Sequence, residues 1–456
     1  MAVIQIDKDL CTGCQECTKV CPTFAIEGEA GEAQTLVEER CVMCGQCVQK
    51  CKSYVSLIDH GKEAYAAKRA ERLLPETVQE PLFAAHNVSH LAELIAALND
   101  PNKFTVVQSA PAVRVGIAED FGLPLGSLAS GKMAAALRKI GFDRVYDTNF
   151  SADLTIMEEG TELVERVTKG GILPMFTSCC PAWVKYMETN HPQLTKHLST
   201  CKSPQQMAGP VFKTYGAKID KVKADKIYNV SVMPCTCKTY EAARPEMNAS
   251  GHQDIDVVIT TRELGYLIKY KGIDLATLPD EQFDMPLGEY TGAGAIFGVT
   301  GGVMEAALRT GYTLITNKEL GNKDLDFTAV RGSDGFRTAA IKIGDLTLKV
   351  GIVTNLKNIE PIIEQLKAGT LDCHFVEVMT CPEGCITGGG QPKLLSDVDR
   401  QDANDKRREA IYQHDKDLPL RKSHESAAIK KIYAEYLEKP CGHKSHELLH
   451  THYKHD

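Results

Sequence analysis

From Phe104 onward, short apolar runs alternate with longer stretches of helical, amphipathic spacing. Phe104-Thr-Val-Val predicts a strand, the stretch near 127–140 a helix, Arg144-Val-Tyr a strand, 152–168 a helix and Leu173-Pro-Met-Phe a strand. The pattern begins again with Ile227-Tyr-Asn-Val-Ser-Val-Met and Ile255-Asp-Val-Val-Ile-Thr, and later with Leu348-Lys-Val-Gly-Ile-Val. Such alternation predicts parallel sheets covered by helices. Three apolar runs end on cysteine. Met175-Phe-Thr-Ser-Cys-Cys-Pro-Ala-Trp183 stops at two adjacent cysteines, a proline and the only tryptophan in the chain. Val230-Ser-Val-Met-Pro-Cys235 stops at one, and Phe375-Val-Glu-Val-Met-Thr-Cys381 continues as Pro-Glu-Gly-Cys385-Ile-Thr-Gly-Gly-Gly390. Open α/β sheets place their sites at the carboxyl ends of strands, so these loops are expected to meet. Adjacent cysteines rarely pair with each other, and Cys179 and Cys180 are expected to have separate jobs, one of them as metal ligand.

Residues 1–58 follow a different pattern. Cys11-x2-Cys14-x2-Cys17-x3-Cys21-Pro22 recurs as Cys41-x2-Cys44-x2-Cys47-x3-Cys51, an internal repeat offset by thirty residues. This is the bacterial ferredoxin spacing, in which three cysteines of a run bind one [4Fe–4S] cluster and the fourth reaches across to the other. By that rule Cys11, Cys14, Cys17 and Cys51 hold one cluster, and Cys41, Cys44, Cys47 and Cys21 the second. Zinc ribbons are the competing reading, but they show paired Cys-x2-Cys rather than runs of four. Lys52 follows Cys51 where proline follows Cys21, a departure that leaves the ligands intact. The unit reads as an α+β ferredoxin-like domain. Its acidic residues outnumber its basic ones, so a simple acidic ferredoxin would meet repulsion here unless a local patch or companion subunit relieves it.

Composition narrows the class. Charged residues are 25% and hydrophobic ones 43%, an ordinary composition for a soluble protein, and 456 residues suffice for two or three domains. A net charge of -8 gives no reason to expect nucleic acid or an anionic membrane as partner. No apolar run approaches the roughly 18 residues of a transmembrane helix. The N-terminus lacks a basic region followed by an apolar core, so a cytoplasmic protein is expected. Seventeen cysteines in such a setting point to metal rather than to disulfides.

Residues 59–102 are rich in Ala, Glu, Leu and Lys and read as a helical connection interrupted by Pro75, Pro81 and Pro101. His86 and His90 have helical spacing, and surface histidines explain them better than a metal pair. Residues 393–456 read as polar and helical, ending in a tail with His443, His446, His450, His452 and His455. A metal-binding tail is one reading and a solvated terminus the preferred one. Thr291-Gly-Ala-Gly-Ala-Ile-Phe-Gly298 has dinucleotide-like glycines, but its Gly-x-Gly-x-x-x-Gly spacing and the lack of a preceding strand favour close packing instead.

Thr177-Ser-Cys-Cys-Pro, Met233-Pro-Cys-Thr-Cys-Lys238-x-x-Glu241 and Glu377-x-Met-x-Cys-x-x-x-Cys385-x-x-Gly-Gly-Gly resemble the three signature motifs of iron-only ([FeFe]) hydrogenases. The match covers nearly the whole chain. It implies a two-lobed α/β catalytic domain over 103–392, and a C-terminal belt over 393–456 like the separate small subunit of some relatives. It implies reversible interconversion of dihydrogen with two protons and two electrons. It further implies an H-cluster. Cys180, Cys235, Cys381 and Cys385 would hold a third [4Fe–4S] cluster, and Cys385 would also bridge to a two-iron subsite bearing carbon monoxide, cyanide and an amine-carrying dithiolate. The resemblance implies dedicated maturation proteins for that subsite and a ferredoxin or flavodoxin-like redox partner.

A cofactor tied by one bond needs its other ligands gripped. Lys238 is expected to donate to one cyanide as a charge-assisted partner, and Ala110, Pro111 and Ala112 match the family segment that contacts the other, by backbone N–H. Met233 and Met379, each two residues before a ligand cysteine, offer soft walls. Gly388, Gly389 and Gly390 permit close backbone approach. Cys179 is the spare thiol. With an ordinary pKa of ~8.5 it can exchange protons without binding iron, and by resemblance it serves the cofactor's amine. Glu159, Glu162 and Arg166 share one helical face and, with Ser199, match the family's proton relay; alone they would read as an ordinary charged face. Glu241 is expected to orient the second motif's loop. Cys237 stands where prototypical relatives carry serine, and as a weaker donor is expected to loosen the cyanide grip slightly. Cys201, Cys373 and Cys441 lie outside the motifs and read as buried or incidental thiols. The rival reading is a non-catalytic relative that assembles cytosolic iron–sulfur clusters. Such proteins keep the four cluster cysteines but lack the spare thiol and much of the grip on a two-iron unit.

Overall fold

A computed structural model of the protein describes residues 3–333, 335–394 and 396–453. The N-terminal repeat folds as two tight cysteine loops, each running into a short helix, Glu16–Val20 and Gln46–Lys50. Both loops turn through left-handed backbone at matching positions, Gly13 and Gln15 in the first and Met43 and Gly45 in the second. Strand β1 (Ile4–Ile6) opens the unit, and β2 (Ile26–Glu27) pairs antiparallel with β3 (Thr35–Leu36).

The segment 59–102 is not the helical connection its composition suggests. It carries helices Lys62–Glu71 and Leu91–Leu98, but between them the chain turns back into the first unit. There β5 (Leu82–Phe83) pairs with β4 (Tyr54–Val55), and β6 (Ala85–Asn87) pairs with β1. His86 and His90 therefore do not share a helix. His86 lies on β6, where burial, helped by the Arg72 charge, holds its imidazole down to about 4. Two- and three-residue strands lack the period that marks a strand in sequence.

Two four-stranded sheets follow. The first is wholly parallel, in the order β11 (Val257–Thr260), β10 (Ile227–Met233), β7 (Phe104–Ser109), β8 (Arg144–Asp147). Every residue of β10 is buried, as a central strand covered on both faces requires. The second sheet has the order β12 (Phe336–Ile343), β13 (Leu346–Thr354), β14 (Phe375–Met379), β9 (Met175–Phe176). It is mixed rather than parallel: β12 runs antiparallel to β13 at the edge. Its alternating exposure along 336–343 is that of an edge strand with one wet face.

One helix, Thr148–Lys169, serves both sheets. Asp147 caps its start by accepting from the Asn149 N–H, and Gly170 ends it in the left-handed region at φ 85°. Phe150 and Leu154 pack with Val106 and Tyr146 of the first sheet, while Ala152, Ile156 and Leu163 pack with Val350, Ile352 and Phe375 of the second. Apolar residues on both sides are what a helix buried between layers needs.

Residues beyond 396 wrap over these elements. Helix Asp397–Asp417 is pinned by buried ion pairs, Arg309 to Asp415 at 2.8 Å and Arg407 to Glu119. Helices Ala427–Ile432 and His443–Leu449 follow. The tail is not a solvated terminus. Leu448, Leu449, His450 and Tyr453 are buried, and the Tyr453 hydroxyl donates to the Cys201 carbonyl at 3.3 Å. His443, His446 and His452 are exposed, and His455 lies outside the described residues. Among the described residues no helix is long and apolar enough to cross a membrane.

The N-terminal unit is locked onto the loop after β14. A side-chain carbon at Gly45 would meet the Thr236 hydroxyl at 2.6 Å and the Gly389 Cα at 2.9 Å. Around this contact Thr236 Oγ1 donates to the Met43 carbonyl at 2.7 Å. Gln46 Nε2 donates to the Thr387 carbonyl at 3.0 Å, and Gln49 Nε2 to that of Gln391 at 2.8 Å. Gly45→Ala is therefore expected to destabilise the cluster-loaded protein by about 1–3 kcal/mol, through overpacking added to the cost of its φ of 70°. Anaerobic calorimetry reads this as a lowered Tm; an unchanged Tm would mean that the two backbones do not meet here.

Candidate functional site

The eight N-terminal cysteines gather in two groups. Around Cys17 stand Cys51, Cys11 and Cys14, and together with burial they push its thiol up to about 11. Around Cys47 stand Cys44, Cys41 and Cys21. Cys14 is the exposed member of the first group, whereas the second lies inward, with Cys44 near both Cys235 and Cys381.

β9, β10 and β14 deliver their cysteines to one internal cavity. Cys179, Cys180, Cys235, Cys381 and Cys385 all line it, and Ala110 and Pro111 enter it from the end of β7. Met233, Met379, Phe297 and Gly388 complete an apolar wall in which, among the described residues, Lys238 is the one charged side chain. Proline at the first position of helix Pro181–Asn190 fixes the turn that presents Cys179 and Cys180. Beneath that turn Trp183 is fully buried, its indole N–H donating to the Thr177 carbonyl at 3.1 Å. The lone tryptophan is thus the floor under the cysteine pair.

The donor set fits an iron–sulfur cluster. Burial, then the neighbouring cysteines, push the Cys235 and Cys385 thiols up to about 12. Thiols crowded into so buried a space ionise together only beside a compensating cation, which a metal cluster supplies.

Lys238 binds two groups at once, the Cys179 carbonyl at 3.1 Å and Glu241 Oε2 at 2.8 Å. Burial opposes its charge, but Glu241 outweighs burial and holds its pKa above the ordinary value. One of its three N–H donors is left for a ligand. Glu241 does not line the cavity; it also accepts from Ser203 at 2.9 Å and Gln205 at 3.1 Å, and so fixes the lysine. In the Ala110–Ala112 segment, Ala110 N–H is spent on the Val232 carbonyl and Pro111 has none. The Ala112 N–H is fully buried and finds no acceptor among the described residues. That orphan donor suits an anionic ligand.

Three expectations need correction. Cys237 does not line the cavity: it is buried with Phe176 and Trp183, near Cys235 and Cys180 on one side and Cys44 of the inner N-terminal group on the other. Ala112 does not line the cavity as Ala110 and Pro111 do; its N–H lies beside Gly298, which does. Of the three glycines only Gly388 lines the cavity, while Gly389 abuts Cys44 and Gly45, and Gly390 abuts Thr260 and Pro234. The glycine-rich segment packs closely as expected, Gly294 against the Asn149 carbonyl at 2.5 Å to a built side-chain carbon, and it adds Phe297 and Gly298 to the wall.

Behind Cys179 lies a chain of buried polar groups. Burial, then the Glu159 charge, push the Cys179 thiol well up. Burial likewise raises Glu159 to about 8; the Glu162 charge adds to this, while the Ser199 hydroxyl opposes it. Ser199 Oγ donates to Glu162 at 2.8 Å, and Arg166 closes the series on Glu162 at 2.6 Å. Glu377, which opens the third motif without an expected role of its own, accepts from the Gly301 and Met304 N–H groups at 2.6 and 2.8 Å and so starts helix Gly302–Thr316. A carboxylate in a fully buried strand was the signal that could have found it.

The family model for the C-terminal domain of the iron only hydrogenase large subunit matches residues 103–389. Models for the iron hydrogenase small subunit and for a 4Fe-4S dicluster domain match 401–456 and 3–52. The chain is 46% identical to the NADP-reducing hydrogenase subunit HndD of Solidesulfovibrio fructosivorans, over 91% of this chain and 73% of that one. It is 44% identical to the periplasmic [Fe] hydrogenase large subunit of Nitratidesulfovibrio vulgaris, over 88% of each. The structure of the apo [FeFe]-hydrogenase HydA1 of Chlamydomonas reinhardtii, in a variant form, superposes with a TM-score of 0.70 at 41% identity, covering 80% of this chain and 99% of that one. A cytosolic Fe-S cluster assembly factor, narfl of Danio rerio, is more distant at 30% identity over 77% of this chain and 86% of its own. On its sequence, its fold and its cysteine-lined cavity, this chain belongs to the iron-only ([FeFe]) hydrogenase family.

Proposed function

We propose that the protein interconverts dihydrogen with two protons and two electrons, at a cavity between two facing sheet-centred lobes. The observation that carries this reading is a fifth cysteine, Cys179, in the same cavity as a four-cysteine set and backed by a buried carboxyl. Cys180, Cys235, Cys381 and Cys385 would hold the cubane, with Cys385 shared with the two-iron subsite. When bound, the H-cluster supplies the metal centre at which dihydrogen is made or split, and the remaining work falls to the chain. Lys238 and the Ala112 N–H hold anionic ligands, Met233 and Met379 exclude water, and Cys179 carries protons. Glu159, Ser199, Glu162 and Arg166 continue that route toward the surface. The N-terminal unit is placed to exchange electrons, its inner cysteine group lying against the cavity and its outer one reaching the exposed Cys14.

The finer assignments follow from the same reading. Residues 1–58 form the electron-transfer domain, 103–392 the catalytic one and 393–456 the belt. The segment 59–102 joins the first two while giving one strand to each of two small sheets of the first. The external partner is a soluble one-electron carrier of ferredoxin or flavodoxin type, maturation proteins install the two-iron subsite, and the compartment is the cytoplasm, where seventeen unpaired cysteines stay reduced. The assembly-factor reading gives Cys179, Lys238 and the acid chain nothing to do.

Cys179→Ala is expected to lower dihydrogen turnover with a reduced one-electron dye by at least about 100-fold in maturated protein. Iron content and the infrared bands of carbon monoxide and cyanide should stay as in wild type. Turnover above about a tenth of wild type would remove Cys179 from the proton route.

Glu159 titrates near 8 when folded and near its ordinary value of 4.5 when unfolded. Folding therefore takes up a proton between these values, and stability falls as pH rises through that window. Glu159→Gln is expected to raise the Tm near pH 7, with the gain fading toward pH 4.5, while turnover drops. A gain that does not change with pH would show that the carboxyl is ionised in the fold.

A further inference from the structure

Outside the cavity, the C-terminal segment carries a second group of ligating side chains. Cys441, His446 and His450 bring a thiol and two imidazoles together, with all three donor atoms within 4.8 Å of one another. A tetrahedral ion with sulfur and nitrogen bonds of about 2.3 and 2.0 Å needs only a small side-chain adjustment from that spacing. His446 lies within helix His443–Leu449 and His450 just past it, one turn on, with ring centres 4.1 Å apart. Cys441 enters from the preceding turn, where it holds a left-handed φ of 51° that ordinarily favours glycine. An oxygen donor is also at hand. The Glu158 carboxylate accepts from the Cys441 N–H at 2.6 Å and contacts His450 Nε2 at 3.1 Å. The Glu158 contact alone accounts for His450. It does not account for a thiol and a second imidazole at ligating distance. Exposure falls from exposed His446 through half-buried Cys441 to buried His450, so an ion can enter from solvent.

A thiolate with imidazoles selects borderline transition metals over magnesium or calcium. We propose that Cys441, His446 and His450, with Glu158, form a site for a divalent transition-metal ion, Zn²⁺ foremost, whose occupancy slows proton exchange at the outer end of the buried acid chain. The second half rests on the proton route described above. His450 Nδ1 contacts the Thr200 hydroxyl at 2.8 Å, and the Thr200 N–H donates to Glu162 at 3.1 Å. The donors of Glu162, Cys201 and His450 themselves lie within 4.8 Å of one another. An ion held on His450 takes up a lone pair that would otherwise accept a proton, and sets positive charge beside Glu162.

The test adds Zn²⁺ to cluster-loaded, maturated enzyme, in wild type, Cys441→Ser and His446→Ala. Equilibrium dialysis should give one tight Zn²⁺ per chain in wild type and at least about tenfold weaker binding in either variant. Zinc-edge X-ray absorption should show one sulfur neighbour among nitrogen and oxygen, lost in Cys441→Ser. Zn²⁺ at saturation should slow wild-type turnover at least about tenfold, reversibly with a chelator, and leave Cys441→Ser unaffected at the same concentration. No tight Zn²⁺, or a sulfur neighbour that persists in Cys441→Ser, overturns the site. Saturated wild-type enzyme at full turnover overturns the link to proton exchange. Full turnover in Glu162→Ala would instead overturn the proton route on which that link rests.

Discussion

Four thiols far apart in the chain must converge on one small volume, and the fold is arranged around meeting that condition. They leave the carboxyl ends of β9, β10 and β14, strands of two different sheets. Bringing such distant segments together costs loop-closure entropy, which the local loops cannot repay by themselves. The compensation is in the packing. Helix Thr148–Lys169 buries one side against each sheet, and Trp183 fills the space under the Cys179–Cys180 turn. The placement of the thiols is thus a property of the core rather than of the loops that carry them.

Three buried carboxyls around this core show how one side-chain type is given different tasks. Glu377 receives two backbone N–H groups and anchors a helix start. Glu241 receives a lysine, a serine and a glutamine, and holds the lysine in place. Glu159 receives little, so burial prevails and it keeps its proton to about pH 8. Burial also raises Glu377, to about 7, so what separates the two is what each touches: Glu377 the N–H groups that start a helix, Glu159 the Cys179 end of the acid chain.

Much of this was legible in the chain itself. The cysteine spacings grouped the N-terminal residues as the structure does, because eight close-spaced ligands leave few arrangements. The long strands β7, β10, β13 and β14 were visible because their apolar runs are set by burial on both faces. What escaped was short or nonlocal. β5 and β6 are too brief to show a period, and β12 reads as polar because one face is wet. Its place in a motif suggests the cavity for Cys237. Motif position fixes neither the side on which a helix residue lands nor what packs against it. The histidine tail read as solvated because its partners, Glu158, Thr200 and Cys201, lie some 250 to 290 residues away in sequence.

The contact between Gly45 and Gly389 has a further bearing on how the parts cooperate. With no side chain between them, two backbones touch where the N-terminal unit meets the loop after β14. The spacing between the N-terminal cysteine loop and the loop after β14 is then set by van der Waals radii. A side chain at either glycine would wedge the two cysteine-bearing loops apart, so here the closeness of the two groups rests on the absence of a single carbon atom.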